Sequence, residues 1–565
     1  MNFWTDYHKR IIVQFAEKTT MQEEIVETDV LCIGGGIAGL MAAIRASECG
    51  AKTIIVEKGH ALHSGRGRAG NDHFETYIPE VHGPNQDAFI EELLRTAKGE
   101  VPLSHEIFRA QFAKAFDIVR LWDSWGIPMK YKGKWEFAGH SFPGRSMTHI
   151  KYGGQMQKKI LIQQALDREA EIINRVMGFE LLSDGNGVTG AIGIHAREDK
   201  ITVFKAKAII LATGKCSRLY PGITPGWMFN DPHGGGQTGD GRAMAYRAGA
   251  QLHNVELPQR HIGPKYFPKF GQATWVGVLK DSQGKPVGTF APKPDRKYGD
   301  MIMEANKLVA EHYTQSGKGP VYMDCTDMTD EDYEYMMYWM VHEGNLSLLD
   351  HMKEEGIDIR KHPIEFVTYP LRFGGMIVAN AKAETNLKGL YAAGDEAFGD
   401  ISAAATFGWI SGENAAKYAQ QIEGLQEVGA GSKIEETKAL FHQLRGREEG
   451  PDWEEANIAL QQVMYDYAGS VRNEAMLEQG LFHLRRLKEK MDTGMIARNP
   501  HELMRCLEVR NMYELGELVF ITALDRKETR NLHVRPDYPF TNPTLNQAHI
   551  IQNIDGTPVI QWNPF

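Results

Sequence analysis

No two of the five cysteines, Cys32, Cys49, Cys216, Cys325 and Cys506, stand close enough to make a C-x-x-C pair. Such an odd, dispersed set does not suggest a disulfide framework. Nor does it supply the four grouped thiolates that an iron–sulfur cluster ordinarily needs. Basic residues are outnumbered, 63 Lys and Arg against 73 Asp and Glu, for a net charge of −10. That balance argues against nucleic acid as the main partner, because phosphate binding needs an excess of basic surface. No stretch approaches about eighteen consecutive apolar residues, so no membrane-spanning helix is expected. The first residues hold only one short apolar run, "IIVQFA", and no secretory cleavage site. A cytoplasmic, reducing location is expected. Internal repeats and low-complexity tracts are also missing.

What remains is a chain of ordinary globular composition, 42% apolar and 24% charged, long enough at 565 residues for several domains. From Thr28 it reads "TDVLCIGGGIAGLMAAIRASECGAKTIIVEKG". The apolar run Val30 to Ile33 predicts a buried parallel strand, and Ile37, Leu40, Met41 and Ile44 follow at helical spacing. Between them Gly34, Gly36 and Gly39 make G-x-G-x-x-G. Gly34 allows the tight turn, Gly36 lets backbone approach a diphosphate, and Gly39 lets helix pack on strand. The diphosphate charge sits at the positive end of the helix. A second predicted strand, Thr53 to Val56, ends at Glu57, near the spacing at which an acid accepts hydrogen bonds from a ribose.

Two later segments extend this pattern. "KAKAIILATGKCSRLYP" predicts a buried strand ending in Ala212-Thr213-Gly214, and "LKGLYAAGDEAFGD" one ending at Gly394-Asp395. The second is followed by the small-residue helix start "ISAAATFGWISG". A helix N-terminus there suits charge on a reduced flavin, and together the segments favour FAD over NAD.

With those motifs in order, followed by "TGDGRAMAYRAGAQLHNVEL", "FGGMIVAN" and "DRKETRNLHVRPDYP", the chain resembles the flavoprotein subunits of the fumarate reductase and succinate dehydrogenase superfamily. Within it, Ser64-Gly65, Thr76-Tyr77, "GPVYMD" and Trp227 are similar to the adenylylsulfate reductase alpha-subunit branch. The fold class implied is α/β: a Rossmann-like FAD-binding domain with a parallel sheet, an inserted α+β capping domain and a C-terminal helical domain. The boundaries read are an N-terminal arm 1–24, the FAD domain 25–262 and 370–425, the cap 263–369, a helical domain 430–530, and a tail 531–565 with an Asp-Gly hairpin turn.

The segment "HSGRGRAGNDHFETY" is implied to wrap over the flavin ring, with Gly65, Gly67 and Gly70 giving backbone access. Relatives that bind FAD covalently use a histidine directly after the serine. Gly65 stands there, so non-covalent FAD is expected, with His63 as the alternative attachment point. The candidate cofactor residues are Gly34, Gly36, Ala38, Gly39, Glu57, Lys58, Ser64, Gly65, Arg66, Gly70, Asn71, Ala212, Thr213, Gly214, Asp240, Gly394, Asp395, Ser402 and Ala405. Arg68 is a further cation of the same turn. No metal ligand set is read.

The chain departs from its relatives where substrate would bind. The capping stretch around Arg296 and Lys297 has no arginine in the family's position, and "EAFGDISAAATFGWISG" has none either. Pro370 stands nearest the histidine expected before "GGMIV". Fumarate or succinate as substrate is therefore not expected. Glu75, where the adenylylsulfate branch has an amide, disfavours a sulfate-like anion at that point. The candidate catalytic residues are His261, Arg372, Arg260, Glu75 and His73, with His233 and Gln259 near them. A histidine or glutamate can relay a proton. Arg260 and Arg372 can grip a carboxylate, sulfonate or phosphate. Trp227 offers an apolar wall.

The reading is an FAD-dependent oxidoreductase moving two electrons between flavin and a small anionic, unsaturated or aromatic substrate. No second dinucleotide motif is seen for NAD(P)H, so electrons are expected to pass through a separate iron–sulfur or ferredoxin-like subunit in a hetero-oligomer. The alternatives are a sulfur-compound reductase of the adenylylsulfate type and a non-catalytic electron-relay flavoprotein.

Overall fold

The computed structural model describes residues 21–68, 71, 73–96, 104–139, 146–222, 234–265, 274–287, 295–296, 309–425 and 431–564. Gly70, Trp227, His233 and Lys297 lie outside these residues.

The central sheet starts with β1 (Gln22–Ile33), which feeds helix α1 (Ile37–Glu48) and then β2 (Thr53–Glu57). Four more strands follow: β3 (Glu171–Asn174), β4 (Val176–Ser183), β5 (Val188–His195) and β6 (Lys200–Leu211). Helix α2 (Asp240–Arg247) and strand β7 (Leu390–Ala392) complete the set, and helix α3 (Ile401–Ala419) leaves the end of β7. Strands β3, β2, β1 and β6 lie side by side and parallel. The far edge of β6 is shared. Its first half pairs antiparallel with β5 of the β4–β5 hairpin, and its last three residues pair in parallel with β7.

Strand β1 begins at Gln22, eight residues before the apolar run and inside the predicted arm. Hydropathy missed this part because most of it is exposed. It is held by its ladder to β6 and by the charge pairs Glu24–Lys200 at 2.6 Å and Asp29–Lys207 at 2.9 Å.

Small residues set how closely α1 and α3 cross. An added methyl at Gly408 would sit 2.5 Å from the Ala38 carbonyl oxygen, and one at Gly412 would overlap that of Ala42. Glycines four apart on one helix thus meet alanines four apart on the other, the spacing that shares a helix face. This contact fixes where both helix N-termini point.

The inserted unit has its own four-stranded sheet, in the order Ile262–Pro264, Ile364–Thr368, Val321–Asp324, Val278–Lys280. It packs on helices Asp330–His342 and Leu346–Glu354 around Trp275, Met336, Trp339 and Phe366. A buried ion pair, Lys151 to Glu343 at 2.9 Å, joins it to the FAD-binding unit.

Four helices follow: α4 (Gly431–Arg445), α5 (Trp453–Tyr467), α6 (Glu474–Gly494) and α7 (Pro500–Asp525). The last segment is not a free tail. Its hairpin, Ala548–Ile554 and Thr557–Asn563, turns at Asp555-Gly556 and pairs with Gln251–His253. The "DRKETRNLHVRPDYP" residues anchor it. Arg526 binds Glu256 and Glu528, and His533 accepts from Arg472 at 3.2 Å, all buried. Among the described residues no helix is long and apolar enough to cross a membrane.

The α1–α3 crossing sets a stability test. Gly412→Ala is expected to destabilise the fold by about 2–3 kcal/mol through overpacking. Gly431→Ala, where a methyl meets nothing within 4 Å, should stay within about 0.5 kcal/mol of wild type. Urea unfolding of both variants measures the difference.

Candidate active site

The C-terminal ends of β1, β2, β6 and β7 open onto a cavity of about 480 Å³, the place where open parallel sheets bind ligands. At its floor is the glycine turn. Gly34 has φ +113°, and an added Cβ would overlap the Ala212 carbonyl oxygen. Gly39 is closed to any side chain by the carbonyl oxygen of Gly34. Gly36 is different: an added methyl there would come no nearer than 3.9 Å to any protein atom outside its immediate neighbours. Gly65, at φ +76°, faces it, and its own added methyl would lie 3.9 Å from Gly36 Cα. Nothing among the described residues demands glycine at Gly36, which leaves room there for what enters the cavity.

Polar groups stand among apolar ones on the walls. Glu57 Oε2 accepts from the Gly35 amide at 2.8 Å, and its Oε1 accepts from Gly59 at 2.7 Å. Each oxygen keeps a second lone pair for a ribose hydroxyl. Behind the turn, Lys158 Nζ donates to the Gly35 carbonyl. Burial pushes its pKa down to about 8, with Glu57 pulling the other way. Lys58 bonds Asp240 at 2.6 Å and Glu508 at 2.8 Å. Despite burial, those acids hold the Lys58 pKa above its ordinary value. Glu508, on α7, also pairs with Arg218 and Arg505 at 2.8 Å each. Burial opposes its ionisation, yet these three cations hold its pKa well below the usual carboxylate range.

Beneath Gly214, Arg242 of α2 donates to the Gly214 and Gly375 carbonyls at 2.6 Å each and pairs with Glu396 at 3.2 Å. It thereby ties the β6 turn to the β7 turn. Burial raises the Glu396 pKa, against the pull of Arg242.

Of the predicted cofactor residues, Gly34, Gly36, Ala38, Glu57, Lys58, Ser64, Gly65 and Arg66 line the cavity, as do Ala212, Thr213, Gly214, Asp240, Gly394 and Asp395. His63 and Arg68 line it too. Gly39, Asn71, Ser402 and Ala405 do not. Gly39 is consumed by packing, and Asn71 Nδ2 braces the turn through the Arg66 carbonyl at 3.3 Å. Ser402 Oγ accepts from the Glu75 amide at 2.5 Å. Ala405 is turned into the core, and its neighbours Ile401 and Ala404 take the lining position. Sequence reading missed Lys158, Met504, Arg505 and Glu508. The last three come from a long helix whose pattern carries no sign of the contact.

None of the five predicted catalytic residues lines the cavity among its described residues. Two connect to it indirectly: the Glu75 amide bonds Ser402, next to the lining Ile401, and Arg372 pairs with Gln259, which accepts from Lys215. His73 and Glu75 sit on the short strand His73–Glu75, where His73 Nε2 donates to the Ala138 carbonyl at 2.9 Å. The Glu75 carboxylate accepts from Gln111 at 3.3 Å and Thr148 at 3.4 Å. Arg372 is fully buried and pairs backbone to backbone with Gln259, at 2.9 and 3.0 Å. His261, half-buried, accepts from the Tyr369 amide at 2.7 Å through its carbonyl. Arg260 points elsewhere, donating to the Tyr369 carbonyl at 2.5 Å and pairing with Glu311 of the cap at 2.6 Å.

Known proteins share this design. The family described as FAD binding domain matches residues 29–408, and the fumarate reductase flavoprotein C-terminal family matches residues 457–564. The chain is 27% identical to one subunit of the fumarate reductase (CoM/CoB) of Methanothermobacter marburgensis, across 94% of this chain and 98% of that one. It is 24% identical to the L-aspartate oxidase of Vibrio cholerae, across 91% and 96%. The structure of adenylylsulfate reductase from the hyperthermophilic Archaeoglobus fulgidus has the same fold, with a TM-score of 0.81 at 24% identity over 97% of each chain.

The glycine turn makes a paired test. Gly36→Ala should leave the thermal unfolding of the flavin-free protein unchanged while weakening FAD binding by about 2 kcal/mol or more, the cost of forcing a methyl into an occupied space. Gly39→Ala should lower the unfolding temperature itself. The Lys158 charge behind the turn favours a diphosphate, and binding one raises the lysine pKa back from about 8. FAD affinity should therefore hold at neutral pH and fall as pH rises beyond about 8, a fall that Lys158→Met removes when flavin fluorescence is titrated.

Proposed function

The chain belongs to the FAD-binding flavoprotein family of the fumarate reductase type, and from that membership we propose that it exchanges two electrons between FAD and a small anionic, unsaturated or aromatic substrate. It is an FAD-dependent oxidoreductase; the substrate class is our reading. The observation that carries it is the fully buried Arg372, fixed against Gln259 where the FAD-binding unit meets the strand Ile262–Pro264 that opens the cap.

The residues of the cavity fit an extended dinucleotide. Gly34 and Gly36 take the diphosphate at the start of α1, where backbone amides and the helix dipole favour negative charge. Glu57 takes the adenosine ribose, Gly65 faces the diphosphate turn, and Arg66 with Asp395 bounds the opposite end. We hold FAD to be non-covalent, since the position after Ser64 is glycine. FAD supplies two-electron hydride chemistry when bound.

Around that end the chain's own groups divide the work. Arg372 holds the acid group of the substrate through its planar fork. Arg260, engaged by Glu311, steadies the cap instead. His261 and Glu75 carry the proton to or from the substrate, and His73 is held as the Nε2–H tautomer by the Ala138 carbonyl.

Electrons reach or leave the flavin through a separate iron–sulfur or ferredoxin-like subunit. In support, Cys32, Cys216, Cys325 and Cys506 are all buried, and burial pushes each thiol up to about 12. They are also scattered, and among the described residues no three His, Cys, Asp or Glu side chains group together to hold a metal ion. The Methanothermobacter relative is itself one subunit of its enzyme.

Arg372→Met is expected to lower kcat/KM for an anionic acceptor by about a hundredfold, roughly 2.7 kcal/mol, while flavin content and unfolding stay as in wild type. Reoxidation of the anaerobically reduced protein by a panel of unsaturated acids measures this. Turnover unchanged in both Arg372→Met and His261→Ala would instead mean an electron relay with no substrate site of its own.

A further inference from the structure

Directly after the turn Ala212-Thr213-Gly214 comes Lys215, a residue the function above leaves without a role. Gly214, at φ +87°, turns the chain there, and Lys215 reaches the cavity through its contact with the lining Asp395 rather than by lining it. Cys216 then bridges Phe373, and Arg372 bridges Gln259, so three segments run side by side there. Lys215 Nζ donates to Gln259 Oε1 at 3.0 Å and lies 3.5 Å from Asp395 Oδ1. The other Asp395 oxygen is 3.9 Å from Arg66. One carboxylate that lines the cavity is thus shared by two cations, with the backbone-fixed Arg372 on the neighbouring segment.

We infer that Lys215, Arg66 and Arg372 form a proton-linked anion site at the Asp395 end of the cavity, where Lys215 grips one carboxylate- or sulfonate-class group of the substrate. The inference rests on the anionic-substrate reading and sharpens it. An ammonium has three donors; Gln259 engages one of those on Lys215, and a second faces Asp395 as an ion pair at 3.5 Å. The third is left for a ligand, and about a tenth of the side chain is exposed.

Charge facing this lysine comes from every element around it. Asp395, after β7, favours its protonation. Arg66, after β2, Arg372, and Arg242 of α2 oppose it. Burial and those guanidiniums outweigh Asp395 and bring the Lys215 pKa down to about 7. A bound anion offsets the guanidiniums and restores the ammonium. Anion binding should therefore take up a proton at and above neutral pH, and affinity should fall as pH rises through about 7.

Titration of the flavin-loaded protein with malonate and with sulfate, by calorimetry in two buffers of different ionisation enthalpy, tests this. Wild type should bind one or both, about tenfold more weakly per pH unit above 7, with proton uptake approaching one per anion near pH 8. Lys215→Arg should bind without that pH dependence. Lys215→Met should bind at least tenfold more weakly at pH 6 and take up no proton. If both variants keep the wild-type pH profile and proton uptake, Lys215 is not the linked group, and the inference fails while the anionic-substrate reading survives. If wild type binds neither anion at any pH, both fail.

Discussion

Backbone without side chains, held at one fixed separation, is the constraint from which the rest of this structure follows. Gly36 and Gly65 come from different turns, yet they face each other with nothing between but the space a methyl would fill. Holding that gap open requires the turn after β1 to be rigid, and Gly34 and Gly39 make it so by leaving no room to relax. It also requires α1 to be anchored along its length, which the close crossing with Gly408 and Gly412 of α3 achieves. Since α3 starts beside Asp395, the same crossing aims two helix N-termini at one cavity.

Charge is buried around this gap rather than kept at the surface. Taking ions out of water is expensive unless geometry and partners are good, and here several of the buried cations have a designated acid. Lys58, Arg218 and Arg505 converge on Glu508, while Arg242 serves Glu396 and two backbone turns. The Glu508 junction carries the position of the C-terminal helices to the cavity wall, which gives those helices a part in cofactor binding. Lys215 differs from these, with more positive than negative charge facing it. A group held that close to neutrality is poised to respond to an arriving anion.

Much of this was legible in the chain itself. Motifs that constrain backbone read clearly, because a glycine at Gly34 or an acid at Glu57 has a role fixed by local geometry. The small residues of α1 and α3 were visible too, but their close crossing was not. The polar half of β1 was not legible, since its pairing to β6 is stabilised by ladder hydrogen bonds and cross-strand charge, neither of which leaves a hydrophobic period. Glu508 was invisible for another reason: an acid on a long helix looks like solvated surface until two cations from distant segments join Arg505 of its own helix around it. Lys215 stood in plain view after "ATG", but only the fold reveals that Arg66, Arg372 and Arg242 share its surroundings. Arg260 was read as an anion grip, whereas its pairing with Glu311 depended on where the cap helix came to rest.

The claim that a whole dinucleotide spans the cavity, from Glu57 to Asp395, is tested most directly by equilibrium dialysis of the flavin-free protein against FAD and against FMN. Tight binding of FAD with FMN at least a hundredfold weaker is expected, because FMN cannot reach Glu57 or bring a diphosphate to the glycine turn. Equal affinity for the two flavins, or no affinity for either, would contradict it.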